Sequence, residues 1–260
     1  MRQSDFAPVS FELSFGGRDG DLPAITVREG GASLSVSGKV DRVDGWLHDG
    51  KLYLRVVDYK TGQKSFDLTD IRYGLGIQML LYLFTLEREG ASYFGHPIVP
   101  CGVLYQPVRS VILKQDRNID DEKLKDALQK ELRRTGLVLS EPQVLQAMEH
   151  SALESPCYLP IGAKKDGITG SVATAAQLGH LGRYVDKLLH QIAGEIAGGN
   201  IDADPYARGP QDSACTYCAF ASACYFDDSR DKRRPIYKTD SEEFWALMER
   251  ENGEEGHHGR

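Results

Sequence analysis

Polar and apolar positions alternate along the first third of the chain. The segment Val9-Ser-Phe-Glu-Leu-Ser-Phe15 has the period-two pattern of a half-buried strand, closed by the breakers Gly16-Gly17 and Asp19-Gly20. Similar runs at 24–28, 32–46, 51–60 and 98–106 predict four more strands. Between the last two, residues 70–89 carry a helical repeat, with Thr69/Asp70 as its start signal and Gly90 as its stop. The second half turns helical, with predicted helices at 120–134, 141–151, 173–198 and 241–251. Leu178, Leu181, Val185, Leu188, Leu189 and Ile192 mark one buried face on the longest of these. An irregular stretch follows Asp204-Pro205-Tyr206, and the polar tail behind the final helix reads as disordered. The chain shows no internal repeat and no low-complexity linker. The expected organisation is an α/β core over 1–200, a cysteine-bearing lobe over 201–237, and a C-terminal helix with its tail over 238–260.

Composition narrows the class only slightly. At 260 residues the chain can bury one good core, and 41% hydrophobic with 27% charged residues is ordinary for a globular protein. No apolar run approaches the ~18 residues of a membrane span, and a polar stretch follows Met1, so a cytoplasmic protein is expected. The formal charge is −7, of which the stretch from Lys238 to Arg260, with seven acids and three bases, supplies −4. The body, at −3, is close enough to neutral to hold a local basic track, so charge neither supports nor excludes a nucleic-acid partner. Five cysteines argue against a disulfide framework. Cys101 and Cys157 read as core residues, whereas Cys215, Cys218 and Cys224 form a cluster.

The chemistry is concentrated in Gly38-Lys-Val-Asp-Arg-Val-Asp-Gly-Trp46 and Lys51-Leu-Tyr-Leu-Arg-Val-Val-Asp-Tyr-Lys60. Between them, Asp49-Gly50 is a two-residue hairpin signal. With that turn, Leu47 faces Leu52, Trp46 faces Tyr53, Asp44 faces Arg55, Val43 faces Val56, and Asp41 faces Asp58. The last pair is anomalous. Carboxylates opposed across a ladder repel, with Cβ atoms ~4.5–5.5 Å apart, unless a proton is retained or a cation sits between them. Two acid oxygens meeting at one point suit a hard divalent cation such as Mg²⁺. Lys60, two residues past Asp58, shares its face and could orient a water or stabilise charge developing on a phosphate. The plainer reading is a solvated Asp58–Lys60 pair, with Asp41 held by Arg42 or Lys39. On the following helix, Gln78 and Tyr82 share a face with Leu75 and Leu86, as satisfied core groups or as the lining of a cleft.

Gly38–Asp44, Val56-Val-Asp-Tyr-Lys-Thr-Gly62 and Gly76-Ile-Gln-Met-Leu-Leu-Tyr82 together resemble the signature of RecB-type PD-(D/E)XK nucleases. The closer resemblance is to the C-terminal nuclease domain of the AddB family, partner of an AddA-type subunit in helicase–nucleases. It implies a restriction-endonuclease-like fold, with a mixed sheet flanked by helices and a C-terminal cysteine lobe. It also implies Mg²⁺ (or Mn²⁺) held by Asp41, Asp58 and the carbonyl of Tyr59, catalysis by Lys60, and support from Gln78 and Tyr82.

The cysteine spacing is C-x2-C-x5-C, which in a reducing compartment points to a metal. A zinc site would need a fourth Cys or His nearby, and 201–237 offers none; His257 and His258 lie in the tail. Iron–sulfur clusters tolerate a distant fourth ligand. The resemblance implies a [4Fe–4S] cluster on Cys215, Cys218 and Cys224 with a fourth cysteine far upstream. No cysteine precedes Cys101, so the chain is expected to be an excised piece whose cluster is incomplete or absent. The upstream helical segment that can carry a metal-ligating His in RecB-type nucleases is likewise not present.

The resulting expectation is a metal-dependent DNA exonuclease of double-strand-break processing and recombinational repair. Its rivals are a catalytically silent DNA-binding module of the same fold and an iron–sulfur redox protein. No Gly-x4-Gly-Lys-Ser/Thr loop is present to run a motor.

Overall fold

A computed structural model of the protein describes residues 3–113, 120–209 and 211–253. The polar tail, with His257 and His258, lies outside them. A mixed sheet carries the domain. Its strands are β1 (Ala7–Phe15), β4 (Gly38–His48), β5 (Lys51–Lys60), β6 (Ile98–Pro107), β7 (Thr135–Leu139) and β10 (Val172–Ala173), in the order β1-β4-β5-β6-β7-β10. β1, β4 and β5 run antiparallel, β5 and β6 parallel, β6 and β7 antiparallel, and β7 and β10 parallel. β2 (Ile25–Glu29) and β3 (Ala32–Val36) form a separate hairpin, as do β8 (Ile161–Lys164) and β9 (Gly167–Gly170).

A parallel neighbour requires a crossover, and the segment between β5 and β6 supplies it as two helices, α1 (Leu68–Arg72) and α2 (Gln78–Phe94). The single helix expected over 70–89 is therefore split. Gly74 and Gly76 both adopt positive φ, at 73° and 66°, a region that ends a helix. The start also differs: Asp67 caps α1, its carboxylate accepting from the Thr69 amide at 2.8 Å. Gly90 does not stop α2. It lies buried within the helix, where a Cβ would come within 3.4 Å of Ile98, and the helix ends at Gly95 with φ 75°.

Two further boundaries differ. The run over 32–46 divides after Val36, because its first part pairs with β2 and its second joins the main sheet. The helix expected over 120–134 is α3 (Asp121–Glu131), and the residues after it form β7, whose Leu137, Val138 and Leu139 are all buried. A strand covered on both faces has no alternation to reveal it. The helix over 141–151 is the shorter α4 (Pro142–Met148).

α5 (Ala175–Ala197) opens with a capping box between Thr174 and Gln177 and buries Leu178, Leu181, Val185 and Leu189, as the periodicity predicts, whereas Leu188 is half-buried and Ile192, expected on the same face, is exposed. It packs on the β2–β3 hairpin, on α2 and on the C-terminal α7 (Ser241–Gly253). Between α5 and α7 lie β11 (Tyr206–Gly209), β12 (Asp212–Ser213), the four-residue α6 (Ala221–Cys224) and β13 (Arg234–Pro235). β11 centres a small sheet between β12 and β13. The Tyr237 amide donates to the Tyr73 hydroxyl at 3.1 Å, and the Tyr206 and Tyr73 rings meet edge-on at 5.5 Å, tying this segment to α1.

The last helix belongs physically to the core: Phe244 and Met248 are completely buried. Phe244→Ala is therefore expected to lower stability by about 3–5 kcal/mol in urea unfolding, the range for truncating a buried aromatic. A change below ~1 kcal/mol would show that α7 is only loosely attached.

Candidate active site

The β4–β5 hairpin has the register that its turn predicts. Asp49 and Gly50 take φ of 48° and 73°, the paired left-handed conformation of a type I′ turn. The ladder runs from His48–Lys51 through Asp44–Arg55 to Arg42–Val57. Asp41 and Asp58 are the next step beyond it. By strand alternation, Asp41, Val43, Val56, Asp58 and Lys60 belong to one face, and Arg42, Asp44, Arg55 and Tyr59 to the other. Contacts on the second face agree with this division, since Arg42 and Arg55 both donate to Asp44, and Arg42 Nη1 donates to the Tyr59 hydroxyl at 3.1 Å.

Neither partner that a plain surface reading would assign to Asp41 is available. Lys39 pairs with Glu12, and Arg42 with Asp44. Asp41 Oδ2 instead accepts from the Tyr59 amide at 3.1 Å, which holds its carboxylate beside the end of β5. Asp58 is 7% exposed; Lys60 Nζ lies 2.6 Å from its Oδ2, yet that buried oxygen accepts no hydrogen bond of good geometry. A buried carboxylate oxygen in this state is an available acceptor or ligand. The nearby donor set is hard oxygen, which fits Mg²⁺ or Mn²⁺. Among the described residues no three His, Cys, Asp or Glu side chains converge as a metal site, so such an ion would draw on main-chain oxygen or water beyond the two acids.

α2 reaches the same end of the sheet. Tyr82 packs edge-on against Phe15 at 5.4 Å, and a Cβ on Gly38 would lie 3.0 Å from the Tyr82 ring and 2.7 Å from Phe15. Gly38, three residues ahead of Asp41, is what lets the helix come this close. Gln78 Nε2 donates to the Tyr82 hydroxyl at 2.7 Å, so these two side chains are engaged with each other.

Lys60 borders a cavity of about 320 Å³ whose lining includes Lys64, Tyr105, Arg109, Lys130 and Thr135. None of these five stands out in the sequence. Tyr105 comes to Asp58 through the parallel β5–β6 pairing, which no local pattern reveals. Burial, reinforced by the Asp58 charge, raises the Tyr105 hydroxyl above its ordinary pKa. Both Lys60 and Lys64 lie over its ring, at 5.8 and 6.0 Å.

Cys215, Cys218 and Cys224 share a separate cavity of about 230 Å³ with Phe226 and Arg234. Among the described residues these thiols do not form part of any group of three side chains placed to hold a metal ion. Cys218 and Cys224 are exposed and Cys215 half-buried, while Cys101 is buried in β6 and Cys157 half-buried.

The profile of the PD-(D/E)XK nuclease superfamily matches residues 1–225. The chain belongs to the PD-(D/E)XK nuclease superfamily. Its mixed sheet flanked by helices has that superfamily's α/β character. Three similar proteins are each named as a subunit of an ATP-dependent helicase/deoxyribonuclease, and all three are of the AddB type. They come from Acetivibrio thermocellus (35% identical over 260 residues), Clostridium acetobutylicum (36% over 262) and Desulforudis audaxviator (37% over 253). The alignments take in 98%, 98% and 95% of this chain but 22% of each relative, so the chain spans about a fifth of their length. No helix among the described residues of this PD-(D/E)XK protein is long and apolar enough to cross a membrane.

The register of the nuclease hairpin depends on a buried ion pair, because Asp44 is fully buried and Arg55 nearly so. Asp44→Ala leaves Arg55 charged without its partner and is expected to cost about 3–5 kcal/mol in chemical denaturation. A loss below ~1 kcal/mol would mean that the pair is not what fixes the strands.

Proposed function

We propose that this chain is a divalent-metal-dependent deoxyribonuclease module that hydrolyses phosphodiester bonds, acting as an exonuclease in double-strand-break end processing. The observation that carries this reading is the buried Asp58 oxygen without a hydrogen bond, beside Lys60 and at the strand end that Asp41 shares. The superfamily match supports the reaction class, and the relatives' name supports DNA as the substrate and a helicase–deoxyribonuclease assembly as the setting. In that assembly an AddA-type subunit is the partner.

Asp41, Asp58 and the Tyr59 carbonyl would hold Mg²⁺ or Mn²⁺, which when bound lowers the pKa of a water and polarises the scissile phosphate. The chain's own residues do the rest. Lys60 is already fixed by Asp58, so its ammonium needs little reorganisation to stabilise charge developing on the phosphate. Lys64 and Lys130, which have no ion-pair partner among the described residues, offer cations to the neighbouring backbone phosphates. Arg109, paired with Glu131, limits the width of that track. Gln78 and Tyr82 act as positioning residues, holding α2 against the start of β4. Cys215, Cys218 and Cys224 lie in a cavity of their own and take no part in the hydrolysis.

The test is cleavage of linear DNA by the purified chain with and without Mg²⁺. Asp58→Ala and Lys60→Ala should each lower the rate by roughly 100-fold or more while keeping the folding transition. Lys64→Ala should weaken DNA binding and reduce its dependence on salt by about one counterion. Unchanged cleavage by Lys60→Ala, or cleavage indifferent to chelation, would refute the assignment.

A further inference from the structure

The face of the sheet turned away from Asp41 and Asp58 carries a second cavity, of about 530 Å³, into which Arg42, Arg55 and Arg134 open beside Phe6, Met148 and Tyr158. Charge there is unbalanced. Among the described residues, Asp44 is the one carboxylate to which these arginines hydrogen-bond, taking bonds from Arg42 and Arg55. Glu149 also borders the cavity, but its oxygens are taken by the amides of Cys157, Tyr158 and Leu159. Even counting Glu149 in full, three guanidiniums against two carboxylates leave one positive charge. Arg134 donates through Nε to Gln106 Oε1 at 2.5 Å and lies over the Tyr158 ring at 5.9 Å.

Arg55 makes this more than a basic patch. It is 2% exposed, it stacks over the Phe6 ring at 4.9 Å, and its Nη1 is buried with no hydrogen-bond partner. Burial pushes its pKa down to about 10 against the pull of Asp44, and burial lowers Arg134 as well. A buried guanidinium N–H without an acceptor, next to a space that can hold one, is half of a hydrogen bond. The missing half must be anionic, because the site has cations to spare. It must also offer more than one oxygen, because Arg55 Nη1 and the Arg134 guanidinium come from different elements, the Nε and Nη2 groups of Arg42 and Arg55 being turned to Asp44.

We propose that this cavity is a phosphate-binding site, separate from the nuclease centre, in which Arg55, Arg134 and Arg42 grip one phosphate group. The phosphate is either free or the terminal group of a mononucleotide. The cavity exceeds the size of a phosphate, and the exposed Tyr158 ring gives its remainder an aromatic surface on which a base could stack. The site does not depend on the nuclease reading, since none of its side chains belongs to the Asp41, Asp58 and Lys60 set.

The test is titration calorimetry of the folded chain with inorganic phosphate, in chelator and at fixed ionic strength, with chloride as the reference anion. One saturable site is expected, at least tenfold weaker in Arg134→Gln and within twofold of the unaltered chain in Lys64→Ala. Should Arg134→Gln fold poorly, the unaltered chain can be treated with phenylglyoxal and mapped by peptide mass, where phosphate should protect Arg134 selectively. 2′-Deoxyadenosine 5′-monophosphate separates the two sources. Tenfold tighter binding than phosphate identifies a nucleotide site, and equal binding identifies a site for the phosphate alone. The proposal is overturned if phosphate binds no better than chloride, or if Lys64→Ala abolishes binding while Arg134→Gln preserves it. Failure of DNA cleavage, by contrast, leaves this result untouched.

Discussion

The fold of the nuclease end rests on one buried ion pair, Asp44 with Arg55, set opposite each other across the β4–β5 ladder. Strand faces alternate with a period of two, so a slip of one residue would carry every side chain of β5 to the wrong side. Asp44 and Arg55 would then no longer oppose each other, leaving two buried charges unpaired, which is far costlier than misplacing an apolar residue. The type I′ turn at Asp49-Gly50 proposes the register, and the ion pair penalises the alternatives. Asp41 and Asp58 sit one step past the end of this ladder, in the same alternation. Their placement on one face is therefore a consequence of charge burial elsewhere in the hairpin, not of any attraction between them.

This separates the work of two kinds of acid. Asp44 has its oxygens saturated by arginines and is structural. Asp58 lies at the strand end with an oxygen left without a hydrogen bond, and Asp41 is engaged by a single main-chain amide. Groups whose valences are filled hold a fold together, and groups left incomplete in a cleft are the ones free to act on something else. The same criterion applied to the basic side chains sets Arg133, tied to the Leu159 carbonyl, apart from Lys64 and Lys130 beside it, and leaves Arg109 between the two, paired with Glu131 through Nη2 but with a buried Nε that has no partner.

How much of this could be read from the residues depended on whether the determining interaction was local. The hairpin register was legible because the turn and the two alternating runs are contiguous in the chain. The α5 face was legible because one period fills 23 residues. Tyr105 was not, because a parallel pairing is set by a crossover of helices and has no signature in either strand. Arg134 was not, because the residues before it look helical and β7, buried on both faces, shows no alternation to announce that the helix has ended. The split between α1 and α2 was hidden for a different reason: the apolar repeat continues in phase through Gly74 and Gly76, and backbone conformation overrode it.

The charge balance shows why a net figure is a poor guide to this protein's partners. The whole chain is acidic at −7, yet in both of these cavities on the main sheet the basic side chains outnumber the acidic ones. Of that charge, −4 falls between Lys238 and Arg260, outside the strands of the main sheet. Within the cavities the acids are already committed: Glu131 to Arg109, Asp44 to Arg42 and Arg55, and Glu149 to main-chain amides. What an approaching anion meets is the remainder, the cations that those acids do not neutralise. On one face of the sheet that remainder flanks Asp58, whose buried Oδ2 accepts no hydrogen bond. On the other it surrounds an arginine with a buried N–H that lacks an acceptor. The same few strands thus carry, in a cavity on each face, more cationic side chains than acids.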